Sequence, residues 1–201
     1  VDSTGPVLLD SEFLHRNAEN IVVRLRFDEP VTVEARYGVS LLNKSVSSEA
    51  FKLEHVMVLA GLVANQQYTI EFRVRDISGN ATTTLKNSES SGSQQDESAP
   101  TLVGSPEFNQ DSATGASVYF LTDEYAASSL SCARVDTGAT FTQGIEGLGK
   151  SHPISLQDID PSTNYDCVVR AVDTSNNKLI SEPYRLAMGN APAVVYTVTP
   201  S

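Results

Sequence analysis

The first residues that invite a chemical reading are Gly144-Ile-Glu-Gly-Leu-Gly149-Lys150-Ser151, which fit the GxxxxGK[ST] pattern of a phosphate-binding loop. Such a loop works where it joins a strand to a helix whose first amides face the phosphate. Here His152-Pro153 follows at once and the run beyond alternates with a β period. The segment is therefore read as a glycine-rich entry to a strand, and no nucleotide site is expected. Of the three histidines, His55 and His152 lie 97 positions apart, and they are expected as strand-edge residues in separate units rather than as joint metal ligands. Cys132 and Cys167 belong to no CxxC pair or Cys/His cluster, which argues against zinc. No GxSxG occurs and no Cys, His and Asp set converges, so no catalytic residue and no cofactor is expected. The remaining oxygen ligands are Glu29, Asp76 and Asn80, then Glu124, Asp173 and Asn177. Calcium needs six to eight oxygens, and turn Asp and Asn ordinarily bond their own backbone. No metal is assigned, and calcium at these turns is left open.

The elements that hold these residues come in two copies. His55, Leu59, Leu62, Tyr68, Asp76 and Asn80 recur as His152, Leu156, Ile159, Tyr165, Asp173 and Asn177, each 97 positions later. A constant offset marks a duplicated structural unit. A chain of 201 residues is then read as two domains of about 90 residues, each able to bury one modest core. Each unit alternates in the manner of half-buried strands: Ile21, Val23, Leu25 and Phe27 on one face, Arg24, Arg26 and Asp28 on the other. Tyr68, Ile70, Phe72 and Val74 alternate likewise and match Tyr165, Cys167, Val169 and Ala171. The domains are placed at 5–86 and 99–187. Residues 87–98 carry no apolar side chain and are read as a flexible linker. The tail 188–201 contains Ala191-Pro192-Ala-Val-Val, an echo of Gly5-Pro6-Val-Leu-Leu and Ala99-Pro100-Thr-Leu-Val. It is either the first strand of a further repeat or a plain extension.

The net charge of −11 is uneven: −2 over 1–86, −3 over 87–98 and −6 over 99–201. An acidic second half disfavours nucleic acid and anionic membrane as partners. No run approaches the ~18 apolar residues of a membrane span, so no direct membrane insertion is expected. Val1 is not an initiator Met, so an excised segment of a longer protein is expected. Two lone cysteines in one small β unit suggest a disulfide and an oxidising compartment; the expected setting is extracellular, cell-surface or periplasmic.

Seven or so short strands per unit, with turn signals between them, indicate an all-β chain of two tandem immunoglobulin-like sandwiches. His55, Met57, Leu59, Leu62, Tyr68, Val74, Arg75, Asp76, Gly79 and Asn80, with Phe27-Asp-Glu-Pro-Val31 and Tyr37-Gly38, resemble the fibronectin type III domains of bacterial exported proteins. Unit two keeps Tyr165, Arg170, Asp173 and Asn177 but has Asn176 in place of the Gly and no Tyr-Gly. The resemblance implies a tyrosine corner at Tyr68 and Tyr165. It also implies a bridge between strands C and F from Cys132 to Cys167, with two buried thiols as the alternative. It says nothing about activity.

The function expected is a non-catalytic spacer or protein-binding module of a larger exported or surface protein. The alternative is an accessory substrate- or carbohydrate-positioning module of a secreted hydrolase. Carbohydrate is the weaker partner, because Trp is absent and both repeat tyrosines are assigned to the core. A protein partner is expected at an outer patch of Val22, Val56 and Val58, rimmed by Arg24, Arg26, Lys52 and Glu54.

Overall fold

The computed structural model describes residues 3–189. The chain divides into two compact units, Val1–Glu97 and Ser98–Ser201, and among the described residues both are built from antiparallel strands alone. No helix is long and apolar enough to cross a membrane among the described residues.

Unit one holds β1 (Leu8–Arg16), β2 (Ile21–Gly38), β3 (Lys44–Leu59), β4 (Gln67–Asp76) and β5 (Ala81–Ser90). Two of these strands serve both layers of a sandwich. The first half of β2 pairs with β1 and with the end of β3, whereas Val31–Gly38 pairs with β4 and the start of β3. The switch falls at Asp28-Glu29-Pro30, where the β2–β3 register slips, as expected of a proline that cannot donate to a ladder. Ile21, Val23, Leu25, Phe27, Val31, Val33 and Ala35 thereby enter one core together with Met57, Leu59, Tyr68, Ile70 and Phe72.

Unit two repeats the plan with β6 (Glu107–Gln110), β7 (Ala116–Arg134), β8 (Thr140–Leu156), β9 (Tyr165–Asp173), β10 (Lys178–Ile180) and β11 (Tyr184–Leu186). Strand β7 pairs first with β6 and the end of β8, then with β9 and the start of β8. Its last strand is split around Ser181–Pro183; Ser181 spans the gap by exchanging bonds with the Val169 backbone. Each unit is entered by the same clip. Val7 donates its amide to Asp28 Oδ1 and Thr101 donates its own to Asp123 Oδ1, both at 2.8 Å.

Two boundary expectations need correction. The stretch 87–98 is not a free linker at its start, because β5 runs on to Ser90 against β4. Beyond it Ser91 is buried, donating to Val63 O and accepting from Gln66 N; Gly92 N bonds Asn17 O and Ala18 N bonds Gln94 O. The attachment is made by hydrogen bonds, so the absence of apolar side chains did not reveal it. At the other end unit two extends past 187, since Met188 is 3% exposed in its core. The Ala191–Val195 echo lies outside the described residues.

Candidate functional site

The residues that could do chemistry are engaged in holding the sandwiches. Tyr68 and Tyr165, 3% and 2% exposed, each accept a backbone amide five residues upstream: Val63 N in unit one and Asp160 N in unit two, both at 2.9 Å. This is the tyrosine corner, where a buried ring carries its hydroxyl to an otherwise unpaired backbone donor. The acidic turns are likewise closed by their own hydrogen bonds, and a carboxylate oxygen of Glu124 lies within 4.8 Å of one of Asp173. Asp76 accepts from Asn80 N at 2.8 Å and Asn80 Nδ2 at 2.7 Å. Asp173 accepts from Ser175 N, Asn177 N and Asn177 Nδ2, all at 2.8 Å. Their carboxylates close their own turns.

The histidines are not strand-edge residues as expected. Both lie deep in the fold, His55 at 3% and His152 at 0% exposure. His55 Nε2 lies 2.9 Å from Val31 O and 3.2 Å from Lys52 O, and its Nδ1 lies 2.9 Å from Ser48 Oγ. His152 stacks on Phe120 with centroids 4.7 Å apart. Its Nε2 lies 2.9 Å from Thr122 Oγ1, whose one proton goes to Glu124 O at 2.7 Å. Nε2 is therefore the donor, and Nδ1 keeps a bare lone pair with no hydrogen-bond partner among the described residues. Burial lowers the pKa of both rings, that of His152 to about 4. The carbonyls of Lys52 and Val31 offset part of that burial at His55; the Nδ1 partner differs because Ser48, seven residues upstream in unit one, corresponds to Ile145 in unit two.

The GxxxxGKS segment lies within β8. Lys150 Nζ donates to Asp123 O at 2.7 Å and sits 5.4 Å from the Tyr125 ring centre. With extended backbone on both sides there is no helix N-terminus for a phosphate to meet.

Cys132 and Cys167 face each other across β7 and β9 and are joined, with Cα atoms 4.0 Å apart. The equivalent pair in unit one is Tyr37 opposite Ile70.

The expected valine patch is not an open surface. Val22 is fully buried at 0% and Val56 and Val58 are half-buried, although Val22 stands outside the unit-one core cluster. Val22 pairs with His15 of β1, and Asp96 of the returning chain lies 4.0 Å from His15 Nε2. Paired residues share a face, so His15 and the chain at Asp96 stand on the side where Val22 was expected to be open. Arg24 is held by Glu12 at 2.5 Å, and Arg26 is exposed. The apolar side chains that do reach solvent on β3 are Phe51 and Leu53, 46% and 53% exposed. The alternation ending in His55, Met57 and Leu59 points them inward, but they sit beside the Asp28–Pro30 break, where no buried layer is available to them.

Surface cavities are shallow. One of about 500 Å³ lies on the outer face of unit one between Glu34, Glu49, Arg73 and Arg75. One of about 430 Å³ in unit two is bordered by Phe141, Gln157 and Arg134. Arg134 is held there by Asp136 and Asp160, each at 2.8 Å; the Arg134 hydrogen bond keeps the Asp136 carboxyl below the usual range, and hydrogen bonds from Ser162 and then Arg134 do the same at Asp160.

No protein family matches the sequence, and no curated protein is similar to it. Among solved structures, a two-domain fibronectin type III segment of chicken tenascin aligns over 89% of this chain and 96% of its own, at 18% identity and a TM-score of 0.35. The chicken CNTN1 FN1–FN3 domains align over 89% of this chain and 64% of their own, at 11% identity and a TM-score of 0.39. Superpositions at these scores carry no weight by themselves. The immunoglobulin-like, fibronectin type III-like assignment stands on the strand order and register of each unit.

Proposed function

We propose that the chain is a tandem pair of non-catalytic sandwich modules that space or dock other proteins within a larger exported or cell-surface protein. The observation that carries this reading is the use made of reactive side chains: both buried histidines, both turn aspartates, Lys150 and both cysteines bond neighbours within their own unit. A disulfide fits an oxidising compartment. The rival, a carbohydrate-positioning module, calls for exposed aromatic platforms, and Tyr68 and Tyr165 instead end in the core. The test is to assay the purified chain for turnover of ester, glycoside, peptide and phosphate substrates, and for ATP or GTP binding. We expect neither. Turnover lost in His55→Ala or His152→Ala, or nucleotide binding lost in Lys150→Ala, would refute the reading.

A further inference from the structure

Among the described residues, strand β3 has one hydrogen-bonded neighbour, β2, and its other edge is open. An open edge is a template for another strand, and proteins usually blunt it with charge, glycine or proline. Unit two does so: 97 positions on from Phe51 and Leu53 stand Leu148 and Lys150, flanked by Gly147 and Gly149. Unit one instead exposes Phe51 and Leu53 on that strand.

We propose that β3 of unit one pairs antiparallel with β3 of a second copy of this chain, about a two-fold axis at Leu53. Lys52, Leu53 and Glu54 are consecutive and all exposed. A two-fold axis at Leu53 sets Leu53 opposite its own copy, and sets Lys52 of each chain opposite Glu54 of the other. Opposite charges on directly facing residues stabilise a strand pair and like charges oppose it. The two Phe51 side chains, two residues from each Leu53 and on the same face, fall diagonal to the opposing leucine. One face of the seam is thus apolar and the other carries two Lys–Glu pairs. Among the described residues neither Lys52 nor Glu54 forms an ion pair within its own chain. The contact is isologous and closes at two copies. The module reading does not depend on this pairing; a spacer that stays monomeric is still a spacer.

The test is sedimentation of the whole chain at physiological salt. Wild type is expected to form a weak, concentration-dependent dimer, within reach at concentrations up to about 1 mM. Lys52→Glu and Glu54→Lys should each weaken it about tenfold or more, by turning both facing pairs into like charges. An equimolar mixture of the two variants should dimerise again, because each then supplies the charge the other lacks. The double variant K52E/E54K should also recover the dimer. Recovery shows that the single variants are folded. A monomer throughout, a dimer indifferent to the single substitutions, or a mixture that fails to recover would overturn the proposal.

Discussion

Strand β2 meets β4 in unit one as β7 meets β9 in unit two, but the two meetings are made differently. In unit one Tyr37 faces Ile70 and sends its hydroxyl across to Ala60, accepting from its amide at 3.1 Å and donating to its carbonyl at 3.0 Å. In unit two Cys132 faces Cys167 in the same register and the two are bonded. The histidine on β3 and β8 tells the same story at a second place. His55 has acceptors on one nitrogen and a hydroxyl on the other, whereas His152 has one hydroxyl and an aromatic face. The Asp–Asn pairs that close the turns and the corner tyrosines are kept, while positions that only fill or tie the core are free to change. The two units are therefore a matched pair in which a tie or a partner can be removed from one and read against the other.

The largest contrast is the disulfide. The cysteines are 35 residues apart, and closing such a loop limits the unfolded chain by about 4 kcal/mol in the chain-entropy view. Replacing both cysteines with Ala should lower unit two's unfolding free energy by that amount and leave unit one's unchanged. Two resolved transitions in denaturant report both at once. A loss below about 1 kcal/mol would mean that the pair is not the tie it is taken for.

The second contrast is pH. Folded His152 titrates at about 4 against 6.5 when free, so between those values the unfolded chain binds more protons and stability falls as pH drops. The contribution is whole above about pH 6.5 and is lost towards pH 4; the shift corresponds to about 3 kcal/mol. Protonation places an N–H on Nδ1 where no acceptor waits. His55 is depressed in the same direction by burial, but the carbonyls of Lys52 and Val31 favour its charged form, and Ser48 can turn its hydroxyl to accept. The acid limb should therefore belong to unit two. Asp136 and Asp160 lie below the usual carboxylate range and act at still lower pH. Ile145→Ser, which copies Ser48, should flatten the limb, and Ser48→Ala should steepen unit one's. Equal acid limbs in the two units would remove the distinction.

These contrasts also show what could be read in advance. The Asp–Asn turns were legible because they depend on spacing within one turn, whereas the tyrosine corners and the Cys132–Cys167 bridge were implied by the fibronectin type III resemblance. The histidine environments were not legible, since the partners of the two rings come from residues far along the chain, Val31 and Ser48 for His55 and Phe120 and Thr122 for His152. The docking of residues 91–96 escaped because Ser91, a small polar residue, makes it with its hydroxyl. Val22 was misplaced because the chain that returns at Asp96 is not local to it. The exposure of Phe51 and Leu53 follows from the break at Pro30 on the neighbouring strand, which lies 21 and 23 residues before them in the chain.

Where the units agree, the contrast should vanish. Tyr68→Phe and Tyr165→Phe each leave a backbone amide, Val63 N or Asp160 N, without its acceptor. The expected loss is about 1–2 kcal/mol in either unit, nearly the same in both. Thermal unfolding of the two variants measures it, and a difference above about 1 kcal/mol would show that one corner is supported by something else, such as the Phe141 ring set edge-on to Tyr165.

The smallest contrast is in the turn that joins β4 to β5 and β9 to β10. Gly79 and Asn176 are equivalent, and both have positive φ, 91° and 68°. The same bonds surround them: the amide of each returns to the carbonyl of Asp76 or Asp173, at 3.2 and 3.3 Å. A φ of 68° is close to the left-handed well that Asn tolerates, whereas 91° lies further out, where a side chain crowds the backbone. Asn176→Gly should therefore change stability by less than about 0.5 kcal/mol, relief of strain being offset by a freer unfolded chain. Gly79→Asn should destabilise unit one by about 1 kcal/mol. Nothing lies within 4 Å of a Cβ built at Gly79, so any loss reports backbone conformation and not collision. If the two swaps prove equally mild, the turn in unit one relaxes to the geometry of unit two, and the departure from Gly at 176 carries no energetic meaning.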